Sequence, residues 1–338
     1  MLTADLRHAV LAAAHDAGYP APDGDPVLRP GTAPGRYTAS LPLRIAASTG
    51  QDARTVAEAL TEPLQTVPWI SAATPAPQGY LVITVADDAL ARLAVRVTEA
   101  GPACARSDAL HGTTVTPPPV PPASRAGPWA QAHTTVLLQV TAELGAAAGA
   151  SIPADFFNRF SSHRDTIPVT PDPVAAAVAF AGAEAIRYTL ARTPPERLVP
   201  PDPEAAARHT EANPAYAVRY AYSCAASTLR WAAALGLSQG EAAGFRPGSL
   251  THPRERALLD ALSWLPEQVG RAARRGRPHE FTAFLEELAE TYQVCRVACP
   301  AWPERGHVVR ARLWLAGAAA AGLAAGLELL GVSAPDRL

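Results

Sequence analysis

An α+β domain followed by an all-α antiparallel helical bundle is the fold class this sequence predicts, and three observations predict it. Helix and strand signals alternate over residues 1–102. A proline-rich stretch, Thr116-Pro117-Pro118-Pro119-Val120-Pro121-Pro122, follows them. Residues 201–338 then carry almost unbroken helical periodicity with short connections, which implies antiparallel neighbours. The expected organisation is an α+β domain over 1–102, a linker over 103–126, a mostly helical segment over 127–200 and the bundle over 201–338. A length of 338 residues, 48% of them hydrophobic, is enough to bury two cores.

Taken in order, Thr3–Ala17 has apolar residues at helical spacing, with Thr3 as its cap. Arg36–Ser48 and Ala53–Leu64 read as two further helices, the second capped by Asp52. Trp69–Thr74 and Gly79–Val85 read as strands, the latter rich in β-branched residues, and Asp87–Ala100 reads as a helix. The prolines of 116–122 fix φ and remove donors, so that segment reads as an extended spacer, with a partner ligand as the alternative. Val136–Ala148 is the next helix. Pro203–Leu235 covers a short polar helix and then Tyr216–Leu235, and Thr251–Arg275, Pro278–Cys299 and Gly306–Leu330 follow. Gly331, with Pro335 beyond it, marks a helix stop. The longest apolar run, Leu313–Leu327, is short for a membrane span and reads as a buried bundle helix.

Composition narrows the function. A net charge of −2 provides no global basic field, so contact with nucleic acid must come from a local patch. All 29 cationic side chains are Arg, whose planar fork suits phosphates and base edges. The N-terminus lacks the basic and apolar regions of a signal peptide, and the expectation is a soluble cytoplasmic protein. Cys104, Cys224, Cys295 and Cys299 form no CxxC pair and no metal spacing, and read as small core residues. Signatures of serine hydrolases, P-loops and zinc proteases are missing from the sequence. The adjacent carboxylates Asp87-Asp88 and Glu286-Glu287 diverge around their helices. No cofactor, metal, membrane or DNA partner is expected.

One helix face points to RNA. Asn213 and Pro214 make a good helix start, and Tyr216, Arg219 and Tyr220 share a face at i, i+3 and i+4. Two rings and a guanidinium form a stacking platform for the unpaired bases of an RNA loop, whereas burial of Tyr220 in the bundle is an equal reading. Arg271, Arg274, Arg275 and Arg277 form the densest basic cluster, suited to phosphate contact or to complementing a helix dipole. Arg305, Arg310, Arg312 and Arg337 are secondary candidates.

Gly182-Ala183-Glu184-Ala185-Ile186-Arg187 and Asn213-Pro214-Ala215-Tyr216-Ala217-Val218-Arg219-Tyr220-Ala221-Tyr222 resemble the junction that opens the anticodon-binding domain of arginyl-tRNA synthetases. That family has segments of the type "GADAARFFLL" and "NPVYYVQYAHAR". Its C-terminal anchors have counterparts in Glu255-Arg256-Ala257-Leu258, Leu265-Pro266-Glu267-Gln268-Val269, Phe284–Ala289 and Gly326–Leu338. Gly35–Ala46, Ala53–Leu64, Gly79–Val85 and Asp87–Thr98 resemble, in order, the family's additional N-terminal domain. The resemblance implies a bundle of the class I synthetase anticodon-binding type, with Asn213, Tyr216, Arg219, Tyr220 and Tyr222 near the anticodon loop. It implies an N-terminal domain at the outer corner of tRNA. Arg219 stands where the family often has Gln, Tyr222 where His is common and Arg36 where an acidic residue is usual.

The catalytic signatures are degraded. Gly127-Pro128-Trp129-Ala130-Gln131-Ala132-His133 resembles "GPLHVGH", but Ala130 replaces the first His and Ala132 the Gly, leaving His133. Phe160-Ser161-Ser162-His163-Arg164 stands at the KMSKS-type position without a Lys. Only residues 134–159 lie between them, and one βαβ unit takes about 30 residues. The resulting reading is a non-catalytic relative of arginyl-tRNA synthetase that binds tRNA, arginine tRNA in particular. The alternatives are a protein-interaction module or accessory subunit that has lost RNA binding, holding its partner through the bundle or the polyproline segment, and a residual ligase or aminoacyl-tRNA-dependent transferase.

Overall fold

Burial alternates along Leu81–Val85, and this two-residue period builds the only sheet among the described residues. The computed structural model describes residues 2–19, 28–115, 127–154, 156, 173–197, 200–302 and 306–338. The Pro-rich stretch at 116–122 and the loop at 160–164 lie outside them. The chain divides into two compact units assembled from separated stretches. The fold class is the predicted one, a small antiparallel sheet near the N-terminus and a mostly helical remainder.

The first unit takes Met1–Glu99, Leu237–Trp264 and Cys295–Ala318. Its elements begin with α1 (Leu2–Asp16), β1 (Leu28–Pro30), β2 (Arg36–Ala39), α2 (Leu41–Thr49) and α3 (Ala53–Gln65). They continue with β3 (Ile70–Pro75), β4 (Leu81–Val85), α4 (Asp87–Ala91) and α5 (Leu93–Ala100). The strands run antiparallel in the order β1-β2-β4-β3, with Tyr37 and Ala73 both opposite Ile83. Asp52 caps α3 by accepting the Thr55 N–H at 3.0 Å.

The predicted single helix over Arg36–Ser48 is instead a strand and a helix. Tyr37 and Ala39 are fully buried while Arg36 is exposed, a two-residue period that pairs with β4. Pro42 fits only the first turn of a helix, so α2 starts after Ser40. The segment Asp87–Ala100 likewise breaks, at Arg92, into α4 and α5.

In this unit α11 (Pro253–Ser263) begins with a reciprocal cap. His252 Nδ1 accepts the Arg254 N–H, and Glu255 accepts the His252 N–H. The same Glu255 carboxylate, 1% exposed, pairs with Arg312 at 2.7 Å. Asp260 accepts the Gly35 N–H at 3.0 Å and the Tyr37 hydroxyl at 2.9 Å. Thr3 donates its hydroxyl to the Ser263 carbonyl. Cys295 and Cys299 are buried here, as core cysteines, and burial raises both thiols.

The second unit takes Ala100–Gly236, Leu265–Val294 and Ala319–Leu338. It contains α6 (Pro128–Ala147), α7 (Pro173–Ala181), α8 (Ala183–Arg192), α9 (Pro203–Ala207), α10 (Pro214–Ala234) and α12 (Leu265–Arg275). It also holds most of α13 (Pro278–Ala298) and the end of α14 (His307–Leu329). The predicted helix over Thr251–Arg275 is two helices, because Pro266 brings no N–H to continue the ladder past Trp264. A Cβ on Gly326 would come within 2.5 Å of Leu285, so this glycine lets α14 approach α13 closely.

Helix α14 is long and apolar enough to cross a membrane by length and composition, but 67% of its apolar window is buried within the protein. It is therefore accounted for as a core helix. It ends at Gly331, where φ is 68° and the Val332 N–H returns to the Leu327 carbonyl at 3.0 Å.

Candidate nucleic-acid interface

Helix α10 owes its position to its cap. The Asn213 side chain accepts the Ala215 N–H at 3.2 Å. Its amide also donates to the carbonyls of Ala206 and Arg208, each at 2.8 Å. One side chain thus starts α10 and holds the end of α9 against it, and Asn213 itself is buried. Ala215, Val218, Ala221, Ala225 and Ala232 are buried and define the inner face of α10. Tyr216 and Tyr220 therefore fall on the opposite face, where both are half-buried.

The fold sets a third ring on this face. His209, exposed in the turn before α10, stacks on Tyr216 with centroids 5.4 Å apart and planes 14° from parallel. Tyr216 stacks in turn on Tyr220, at 5.7 Å and 9°. These separations are those of offset stacks. His209 was not singled out in the sequence, because a seven-residue step across a turn belongs to no helical period.

The C-terminal segment lies along one flank of α10. Tyr222 donates to Asp336 at 2.9 Å, and Ser223 donates to the Pro335 carbonyl at 2.6 Å. The Ser333 N–H and hydroxyl both reach Glu184 of α8, at 3.0 and 2.8 Å. Arg219 lies 3.5 Å from both Ser333 Oγ and Glu184 Oε2. Its Nε is buried and has no hydrogen-bond partner among the described residues. Burial first, and then the bond to Asp336, raises the Tyr222 phenol. Arg337 is exposed.

The basic cluster is partly neutralised. Arg275 and Arg271 approach Glu280 at 3.1 and 3.8 Å, and Arg277 approaches Glu196 at 3.6 Å. Arg274 is exposed. Surface pairs of this kind contribute about 1 kcal/mol or less, so they yield readily to a phosphate. Arg312 is committed to its buried pair with Glu255 and offers nothing to a ligand. Arg305 lies outside the described residues.

The residues at the degraded nucleotide signature sit in α6. Ala130 and Ala132 are half-buried, and His133 is 1% exposed. His133 Nε2 donates to the Thr193 carbonyl at 3.1 Å, which leaves Nδ1 buried without a partner among the described residues. Burial holds this imidazole below its ordinary value, against the opposing effect of the Thr193 bond. A buried neutral imidazole is a packing group and offers no charge to a phosphate. Among the described residues, no three His, Cys, Asp or Glu side chains are placed to hold a metal ion.

Comparison with known proteins places this geometry in context. The DALR anticodon binding domain profile matches residues 218–338. The arginine–tRNA ligase of Kineococcus radiotolerans is 38% identical over 184 residues, 53% of this chain and 32% of that protein. That of Frankia alni is 41% identical over 162 residues, 46% of this chain and 29% of that protein. The chain thus spans about a third of the length of the curated relatives it matches. Among solved structures, Thermus thermophilus arginyl-tRNA synthetase aligns over 100% of both chains with a TM-score of 0.70. At 14% identity, that likeness speaks for the fold alone. Tyr220, Tyr222 and the flanking tail therefore lie within the residues that match the DALR anticodon binding domain, with His209, Asn213 and Tyr216 just ahead of them, in a chain similar over its C-terminal half to arginine–tRNA ligases.

Proposed function

We propose that this chain binds tRNA, and arginine tRNA in particular, through residues 201–338, without aminoacylating it. The observation that carries the reading is the column of His209, Tyr216 and Tyr220 at the outward side of α10, a helix whose residues from Val218 onward match the DALR anticodon binding domain. Rings already stacked and parallel offer an end face to an unpaired base, whose own faces are exposed in an anticodon loop. Arg219 beside the column supplies positive charge for a loop phosphate or base edge. Asn213 and Tyr222 then act as positioning residues, one by capping α10 and the other by holding Asp336. Arg271, Arg274, Arg275 and Arg337 are the candidate phosphate contacts.

The non-catalytic reading is supported by Ala130 and Ala132 in place of signature residues, the few residues between His133 and Phe160, and the burial of His133. A role in delivering, sequestering or monitoring tRNA in the cytoplasm fits it. So does service as a subunit beside an enzyme supplied in trans, with the sheet-bearing N-terminal region at the tRNA corner.

The test is a filter-binding titration of total tRNA at two salt concentrations, with sequencing of the retained fraction. Enrichment of arginine tRNAs, weakened at higher salt and by Tyr216→Ala or Arg219→Ala, is the expected result. No retention at low salt would overturn the reading and leave the protein-interaction alternative.

A further inference from the structure

We infer that Trp231 is a second base-stacking station on α10, taking one unpaired nucleobase separate from any base at the Tyr216–Tyr220 column. This rests on the RNA-binding reading and deepens it. Trp231 is 63% exposed, in a residue type that is highly buried on average. It stands eleven residues after Tyr220, and at 100° per residue that is three turns and about 20°. The indole therefore projects from the same outward face as the tyrosines, about 16 Å further along the helix at about 1.5 Å per residue. Stacked bases repeat at about 3.4 Å, so a base on the tyrosine column does not reach it.

The charge follows the same period. Arg230 stands eleven residues after Arg219, so a guanidinium flanks each aromatic station on the same side. Arg230 Nη1 is buried and has no hydrogen-bond partner among the described residues, as is true of Arg219 Nε. Cys224 and Ser227, both half-buried, stand on the face between the stations, and the Gln293 amide of α13 reaches Cys224 Sγ at 3.7 Å, so the two stations are separated from each other. Leu235, 62% exposed one turn beyond Trp231, gives the second base an apolar edge to pack against. Alternating rings beside a row of cations is the pattern by which single-stranded RNA is held with little preference for sequence.

The experiment compares the full-length chain with Trp231→Ala, Trp231→Phe and Tyr220→Ala, using an in-vitro-transcribed arginine tRNA at low salt. Trp231→Ala is expected to weaken binding about 5- to 100-fold, the range of one lost base stack, and Trp231→Phe to recover most of it. If the unaltered chain binds no tRNA, the function proposed above and this station fall together. If Tyr220→Ala weakens binding but Trp231→Ala stays within twofold, the station is overturned and the function stands. Light scattering on the same samples separates the remaining outcome. A change of mass in Trp231→Ala without a change in RNA affinity makes the indole a contact between protein chains and overturns the station.

Discussion

Tyr37 and Tyr216 use one side-chain chemistry in opposite ways. Tyr37 is fully buried, donates to Asp260 and lies 3.2 Å from Ser263 Oγ, while Asp260 also takes the Gly35 N–H. These groups answer one another, and burial raises the Tyr37 phenol and the Asp260 carboxyl. Tyr216 and Tyr220 are half-buried, Tyr216 stacks on an exposed histidine, and the Nε of Arg219 on the same helix is buried with no hydrogen-bond partner among the described residues. The first arrangement is closed and stabilises its unit. The second leaves ring surface exposed, and under the proposed function that surface is what an RNA base would use. The difference between the two lies in burial: Tyr37 is enclosed with its polar partners, whereas Tyr216 and Tyr220 are only half-buried.

The sharpest break of the closed side is Arg312→Ala, which strands the buried Glu255 carboxylate. A loss of about 3–5 kcal/mol is expected, read from the midpoint of denaturant unfolding, with RNA affinity nearly unchanged for the fraction that folds. Tyr37→Phe removes one donor from Asp260 and should cost about 1–3 kcal/mol in the same titration. An RNA defect in Tyr37→Phe as large as that in Tyr220→Ala would erase the contrast between the two regions.

Tyr220→Ala tests the open side. It should lower tRNA affinity about 5- to 100-fold while shifting the unfolding midpoint little. A large loss of stability with unchanged affinity would move Tyr220 to the bundle core.

The smallest effect expected is a pH dependence. His133 and His279 both titrate below the ordinary imidazole value, mainly through burial. Below about pH 6.5 the unfolded chain takes up protons that the folded chain refuses, so stability falls as pH drops toward the folded values. His133→Gln keeps a donor for the Thr193 carbonyl and should reduce the difference between thermal midpoints at pH 7.5 and pH 5.5. An undiminished difference would assign the acid sensitivity to other groups.

What was legible in the sequence was local. The caps at Asp52 and Asn213, the helix stop at Gly331, the β-branched run in Gly79–Val85 and the shared face of Tyr216, Arg219 and Tyr220 each depend on residues within a few positions. What was not legible depends on distant partners. The short strand Arg36–Ala39 merges with the helical pattern after it, and only pairing with β4, over forty residues away, reveals it. His209 joins the site because a cap folds a turn back. Ser333, Pro335 and Asp336 join it because a helix stop returns the chain to α10.

The aromatic column has a kinetic consequence. Its rings are stacked before any ligand arrives, so their rotamer entropy has been lost in folding and is not lost again on binding. A base that docks on this column therefore gains mainly in residence time. A net charge of −2 does not draw an anion from afar, so under the proposed function encounter would be slow by the standard of basic RNA binders, and discrimination among tRNAs would rest on how long each one stays.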